Sequence, residues 1–348
     1  MYAMVTQAPP PPGIAVRSLG RRGPDVSTLG FGGAPLGDLY TALDDTDAID
    51  TVVTALDAGV TLVDTSPLYG RGLSEHRIGT ALRRRPGRRV VLSTKVGRIF
   101  APAPAGVTRT EGYAGGLPHE GRFDYGYDGA MRSLEQSLLR LGVASVDIAL
   151  VHDVDPWTHG DAALARAREA LAGAWRALAD LRAQRVVRAI GIGVNDAAVC
   201  AFFAREADLD CVLLAGRYSL LEQPALDDFL PLAAERGIGV LLGGVYNSGI
   251  LATGAVEGAR YNYRPAPPEV LARVAAIERV CATHGTALAH AALAFVLGHP
   301  AVSSVVLGAV SPGEVRRNAD LFARPVPPAL WADLKAARLL RDDAPVPA

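Results

Sequence analysis

Eight short apolar runs, each followed by a stretch with helical spacing, recur along most of this chain. The runs are STLGFGG (27–33), TLVDT (61–65), VVLSTKV (90–96), VDIALVH (146–152), VRAIGIGV (187–194), CVLLA (211–215), GVLLGG (239–244) and SVVLG (304–308). Between them, segments such as TDAIDTVVTALDAG (46–59), DGAMRSLEQSLLRLG (128–142) and ALAGAWRALADLRAQ (170–184) repeat apolar residues at helical spacing. Gly59, Gly142 and Gly237 each follow such a pattern, where a helix C-terminus favours glycine. Eight strand–helix units with no linker between halves predict an α/β fold. They favour a closed single-domain (β/α)8 TIM barrel over an open doubly wound sheet.

A barrel places chemistry where strands end and loops begin. The longest loop, 97–127, is rich in glycine and aromatics and is expected over the C-terminal mouth. Residues 1–15 carry Pro9–Pro12 without the basic start and apolar run of a signal peptide, and read as a disordered Pro-rich leader. The barrel is expected over 16–340, including a last helix at 328–340, and 341–348 as a flexible tail. The longest apolar stretch, 287–298, is too short to span a bilayer and contains His290. With 35 Lys+Arg against 36 Asp+Glu, bulk charge offers nothing to nucleic acid or an anionic membrane. Cys200, Cys211 and Cys281 are far apart and show no ligand spacing, as expected of buried thiols in the cytoplasm.

Asp64 ends the second run, Lys95 stands near the end of the third and His152 ends the fourth, with Tyr69 just beyond Asp64. A carboxylate at the end of a core strand needs a partner. Tyrosine, with an ordinary pKa near ~10, is a poor acid or base at neutral pH unless a neighbouring ammonium lowers that value. A carboxylate holding the lysine charged, and a neutral histidine orienting a substrate oxygen, would complete a proton-transfer relay. Each residue alone has an ordinary reading: Asp64 as a cap, Lys95 as a solvated strand end, His152 as a core histidine, Tyr69 as packing. Four at the same end of consecutive strands are hard to assemble by chance.

These residues carry a resemblance. LGFGGAPLG (29–37), DTSPLYGRGLSEHRIGTAL (64–82), STKVGR (93–98), VHDVD (151–155), GIGVN (191–195) and LGAVSPGEVRRN (307–318) resemble the aldo-keto reductase family across about residues 16–324. The resemblance implies Asp64, Tyr69, Lys95 and His152 as the catalytic tetrad. It also implies hydride transfer between a nicotinamide cofactor and a carbonyl or alcohol, with Tyr69 as general acid or base.

For the cofactor, the resemblance points to Gly33, Asn195, Asn247, Ser248, Gly249, Gly308, Glu314 and Asn318. A glutamine usual on the sixth strand is Ala215 here, and the aromatic that commonly stacks on the nicotinamide is Gly243, with Tyr246 as a substitute. There is no GxGxxG fingerprint after the first strand. Gly308 and Glu314 stand where NADP-preferring members carry basic residues, so NAD is expected over NADP. Glu314 also fits a capping box with Ser311 and Pro312.

Further segments (123–142, 151–155, 215–226, 243–254) resemble the family's sugar 1-dehydrogenases acting on L-fucose and related aldoses. They imply an NAD-dependent aldose 1-dehydrogenase with Tyr69 as base. Candidates to hold a sugar are Asp38, Asp153, Asp155, Arg217 and Asn247, with Tyr40, Trp157 and Tyr125 as walls. Pyridoxal 4-dehydrogenase and general aldehyde or ketone reduction on the same scaffold are alternatives. A nicotinamide-sensing barrel without metabolic turnover is a more distant one. A metal-dependent hydrolase would rest on His152-Asp153 or His119-Glu120, neither with HxH or HExxH spacing, and no metal site is expected.

Overall fold

The structure is a computed structural model that describes residues 14–104, 112–322 and 324–347. Its centre is a closed barrel of parallel strands, each pairing with its neighbours in sequence. Barrel strands one to four are Leu29–Gly32, Leu62–Asp64, Val91–Val96 and Ile148–His152. Strands five to eight are Ala189–Val194, Cys211–Ala215, Gly239–Gly243 and Val302–Gly308. All eight expected strands are present, most of them shorter by a residue or more than the apolar runs that announced them.

The side-chain period of two decides what each strand does. Leu62, Val91, Ile148, Leu150, Leu213 and Leu241 pack inside the barrel. Val63, Leu92, Ala149, Val151, Val212 and Leu242 face outward into the larger core beneath the helices. Continuing the inward set to the strand ends gives Gly32, Asp64, Lys95, His152, Gly193, Ala215, Gly243 and Gly308. This top layer holds the ionisable residues on strands two to four and bare or nearly bare backbone on the other five.

Three features exceed the plain repeat. A short antiparallel hairpin, Val16–Ser18 with Asp25–Ser27, contributes the fully buried Leu19 and Val26 to the barrel interior. Ile14 packs in the core, so order begins inside the expected leader, whose residues 1–13 lie outside the described residues. Much of the expected mouth loop is a second hairpin, Arg98–Pro102 with His119–Phe123. Ser133 Oγ donates to Arg98 O and Gln136 holds Phe100, fastening it to the helix Tyr127–Leu141. A third hairpin, Arg260–Tyr261 with Arg264–Pro265, follows strand seven. The expected tail is packed rather than free. Ala344 is buried, Val346 lies on the core, and Lys335 donates to the carbonyls of Asp342 and Ala344. Among the described residues no helix is long and apolar enough to cross a membrane, and no His/Cys/Asp/Glu group has metal-binding geometry.

Candidate active site

The top layer of the barrel floors a cavity of about 870 Å³ that contains all eight of its residues, a volume in the range of small-molecule sites. Lys95 is 1% exposed, and its ammonium spends each N–H on one acceptor. These are Asp64 Oδ2 at 2.6 Å, Thr65 O at 2.8 Å and Tyr69 Oη at 3.2 Å. Ser93 Oγ donates to the other Asp64 oxygen at 2.8 Å, which fixes the carboxylate's rotation. The lysine stem has room because strand five offers Gly193 opposite: a Cβ there would stand 3.2 Å from Lys95 Cε.

Tyr69 is set by the turn that leaves strand two. Gly70, Arg71 and Gly72 run in succession with φ of 60°, 55° and 102° before the helix Leu73–Arg84. Gly70 also meets the loop after strand one backbone to backbone. A Cβ at Gly70 would fall 2.5 Å from Gly37 O, and one at Gly37 would fall 2.4 Å from Gly70 N. Only glycine permits that approach. Arg71 donates to the carbonyls of Leu117 and Gly115, tying the turn to the segment that leads into the strand His119–Phe123. Tyr69 thus accepts from Lys95, which directs its own O–H away from the ammonium.

His152 lies edge-on to Tyr69 with ring centroids 6.1 Å apart. Its Nδ1 is 3.0 Å from Ser66 Oγ and 3.3 Å from Arg98 Nη1, and its Nε2 is 3.4 Å from Asp153 Oδ1. Burial first, then the charges of Arg98 and Lys95, holds the imidazole well below its ordinary range, so it is neutral at physiological pH. The phenol departs from expectation. Burial, reinforced by Asp64 and Asp153, pushes Tyr69 well above ~10 rather than below it, with Arg98 pulling the other way. The resting group is therefore the neutral phenol. Burial also raises the Asp64 carboxyl, against the pull of Lys95 and Ser93.

Of the candidates for holding a substrate, Asp153 and Trp157 line the cavity. Asp153 has φ of 52° and pairs with Arg98 at 2.9 Å. Trp157 is half exposed, and its ring meets Tyr263 at 6.4 Å between centroids. The others are spent elsewhere. Asp38 is buried against Arg77 at 2.7 Å. Asp155 caps Pro156–His159 by accepting from Thr158 N, and also accepts from Asn195 N. Tyr125 is fully buried beneath the site and donates to His152 O. Arg217 donates to Asn195 O and Asn262, and Asn247 is buried between Ser219 and Glu222. Tyr40 is exposed, with the Arg260 guanidinium over its ring.

Among the cofactor candidates, Gly33, Asn195 and Gly308 line the cavity. Asn247, Ser248 and Gly249 form a left-handed turn after strand seven, and Ser248 Oγ accepts from Tyr263 N. Glu314 and Asn318 lie on the helix Pro312–Phe322, outside the cavity wall. Ser311 Oγ accepts from Glu314 N at 3.3 Å, the first half of the capping box, while the Glu314 carboxylate accepts from Val310 N, one residue before the cap. Tyr246 packs against the core and does not line the cavity, which removes it as a stacking group. The bare floor at Gly193, Ala215, Gly243 and Gly308 fits a flat ring system laid against backbone. Residues the sequence reading passed over also shape the site: Arg98, Tyr113, Phe123 and Tyr263 in the walls, Ser93 and Ser66 behind the tetrad. Arg98 sits within STKVGR, so its signal was adjacent to Lys95. Tyr113 and Tyr263 reach the cavity only through loop conformation.

A parallel barrel whose mouth carries a buried carboxylate–lysine pair, a tyrosine and a neutral histidine defines a carbonyl–alcohol oxidoreductase. The chain belongs to the aldo/keto reductase family, whose pattern matches residues 28–338, and the family works with a nicotinamide cofactor. It is 40% identical over 339 residues to pyridoxal 4-dehydrogenase of Microbacterium luteolum, covering 93% of this chain and 97% of the relative. D-threo-aldose 1-dehydrogenase of a Pseudomonas species is also 40% identical, over 324 residues, 90% of this chain and 95% of the relative. The glycerol dehydrogenase structure from Gluconobacter oxydans shares the fold, with a TM-score of 0.72 at 23% identity over 96% and 98% of the two chains.

Proposed function

We propose that this chain is an NAD-dependent aldose 1-dehydrogenase that oxidises the anomeric carbon of an L-fucose-like sugar to its lactone. The observation that carries this reading is the convergence of Tyr69 and His152 on one floor, with the Asp153–Arg98 pair beside them. Tyr69 takes the anomeric hydroxyl proton, His152 orients that oxygen, and Asp64 holds the Lys95 ammonium against the phenol. Asp153 and Arg98 offer an acceptor and donors to neighbouring sugar hydroxyls. Asn195, Gly33 and Gly308 would hold the cofactor, which supplies the hydride acceptor when bound. For NAD over NADP, the nearest cation to Glu314 on its helix, Arg317, already lies 4.0 Å from that carboxylate. A 2′-phosphate placed there would face the same negative charge.

Pyridoxal is the second reading, favoured by the aromatic walls at Phe123, Trp157 and Tyr263. Its aldehyde closes on the neighbouring hydroxymethyl to a cyclic hemiacetal, so the same C–H and O–H bonds break. The test follows reduced nicotinamide by absorbance with NAD or NADP against L-fucose, D-arabinose, L-galactose, D-glucose and pyridoxal. Signal with NAD and L-fucose-like sugars is expected. Signal with pyridoxal alone moves the function to the second reading, and equal efficiency with NADP overturns the cofactor preference.

The raised phenol makes a separate prediction. Oxidation uses the phenolate, whose fraction grows about tenfold per pH unit below the phenol's pKa. The kcat/KM for oxidation is therefore expected to climb through the neutral and mildly alkaline range. Reduction uses the phenol and stays flat there. A pH–rate profile for oxidation that levels off below about pH 8 would mean another base takes the proton.

A further inference from the structure

Arg98 is a charged residue of the site with no part in the proton relay. It stands at the start of the hairpin that follows strand three, buried to within a tenth of its surface, with its guanidinium stacked over Phe123 at 4.4 Å. One arm meets Asp153 at 2.9 Å and the other meets His152 Nδ1 at 3.3 Å. We propose that Arg98 is a positioning residue that fixes the tautomer of His152, leaving Nε2–H, toward Asp153 and the cavity, as the ring's only N–H.

The argument is one of donor counting. A guanidinium has N–H donors and no acceptor, and does not deprotonate in proteins. Nδ1 beside it must therefore present its lone pair. Ser66 is compatible with this: its Oγ accepts from Leu68 N at 3.1 Å and can turn its own proton to Nδ1 at 3.0 Å. The Arg98 donor on that ring nitrogen excludes a proton there, so a neutral ring carries its proton on Nε2. Protonating the ring would set Nδ1–H against an Arg98 N–H. Every element packed round the ring bears on this balance. Ser66 and Tyr69 face it from the loop after strand two, Lys95 with Asp64 behind it from strand three, Arg98 from the hairpin and Asp153 from its own strand end. Asp153 alone favours a charged ring, and Arg98 occupies that carboxylate. Asp153 is held there by its left-handed backbone and by Tyr125, whose hydroxyl lies 3.2 Å from Asp153 O.

The inference rests on the proposed function only for His152 meeting the substrate oxygen. Its first test needs no substrate. Histidine-selective 15N labelling of the full-length protein, with and without NAD, reads the His152 ring nitrogens from about pH 5 to about pH 9, assigned by the signals absent in His152→Gln. A neutral ring protonated at Nε2 throughout that range is expected. A ring protonated at Nδ1, or one titrating near ~6.5 in the unaltered protein, would overturn the assignment. Arg98→Met removes one of the charges that lower the His152 pKa, so it is expected to shift the ring's titration upward as the ring pairs with Asp153, with an acid limb in kcat/KM that moves with it. Arg98→Lys, which keeps a cationic donor, is expected to retain the neutral ring. A folded Arg98→Met protein with unchanged ring signals would show that Arg98 only packs. If that variant does not fold, the unaltered protein and Arg98→Lys still decide. A protein that turns over none of the sugars leaves these ring measurements intact, so the two readings fail separately.

Discussion

Replacing Tyr69 by phenylalanine is expected to lower turnover by about 10²–10⁴-fold while leaving the fold intact and nicotinamide binding within a few-fold of the parent. The ring stays against Tyr113 and His152, its neighbours at 6.5 and 6.1 Å between centroids, so packing is conserved. What goes is the hydroxyl that accepts from Lys95 at 3.2 Å and that the proposed function charges with the proton transfer. Lys95 keeps Asp64 and Thr65 as acceptors, so the lost bond adds little to instability. Nicotinamide fluorescence quenching or calorimetry measures binding apart from chemistry, and circular dichroism checks the fold. Turnover within tenfold of the parent would assign the proton transfer to another group. An equal loss of binding and turnover would mean that the hydroxyl holds the cofactor instead.

The clustering of Asp64, Lys95 and His152 was legible because each stands at a strand end, where the period of two carries Leu62 to Asp64, Val91 to Lys95 and Leu150 to His152 on one face, with Tyr69 in the turn just beyond. The eight strands were legible for the same reason. What sequence reasoning misassigned was the fate of polar side chains whose partners are distant. Asp38 finds Arg77, and Asp155 finds the backbone of Asn195, about forty positions away in each case. Tyr125 is turned under the floor by packing against Gly97, where a Cβ would meet its ring at 2.5 Å. No periodicity encodes such pairings. The hairpin at the barrel's N-terminal end was hidden by its brevity, since three-residue strands carry almost no alternation. The expected lowering of the tyrosine pKa left burial out: desolvation, with Asp64 and Asp153 nearby, raises the phenol, and Arg98 pulls the other way.

The Asp64–Lys95 pair gives the second large effect, and it separates stability from chemistry. Both side chains are almost wholly buried and 2.6 Å apart. Lys95→Met strands a carboxylate that retains only the Ser93 hydroxyl. Asp64→Asn strands an ammonium on a neutral amide, Thr65 O and the phenol. Breaking a buried pair from one side costs about 3–5 kcal/mol, because the remaining charge has lost its compensation. Removing both charges together avoids that cost. Asp64→Asn/Lys95→Met is therefore expected to be more stable than either single variant, the sign of coupling that a double-mutant cycle measures. Turnover is expected to stay low in all three, since Lys95→Met and the double variant offer the phenol no ammonium, and Asp64→Asn leaves the ammonium without the carboxylate that holds it in place. Denaturant unfolding of the four proteins supplies the cycle, and the nicotinamide assay supplies the activity. If the double variant loses the sum of the single losses, the two groups act independently and the pair is no unit. If Asp64→Asn keeps the parent's turnover, the carboxylate is structural alone, and Lys95 works on Tyr69 without it.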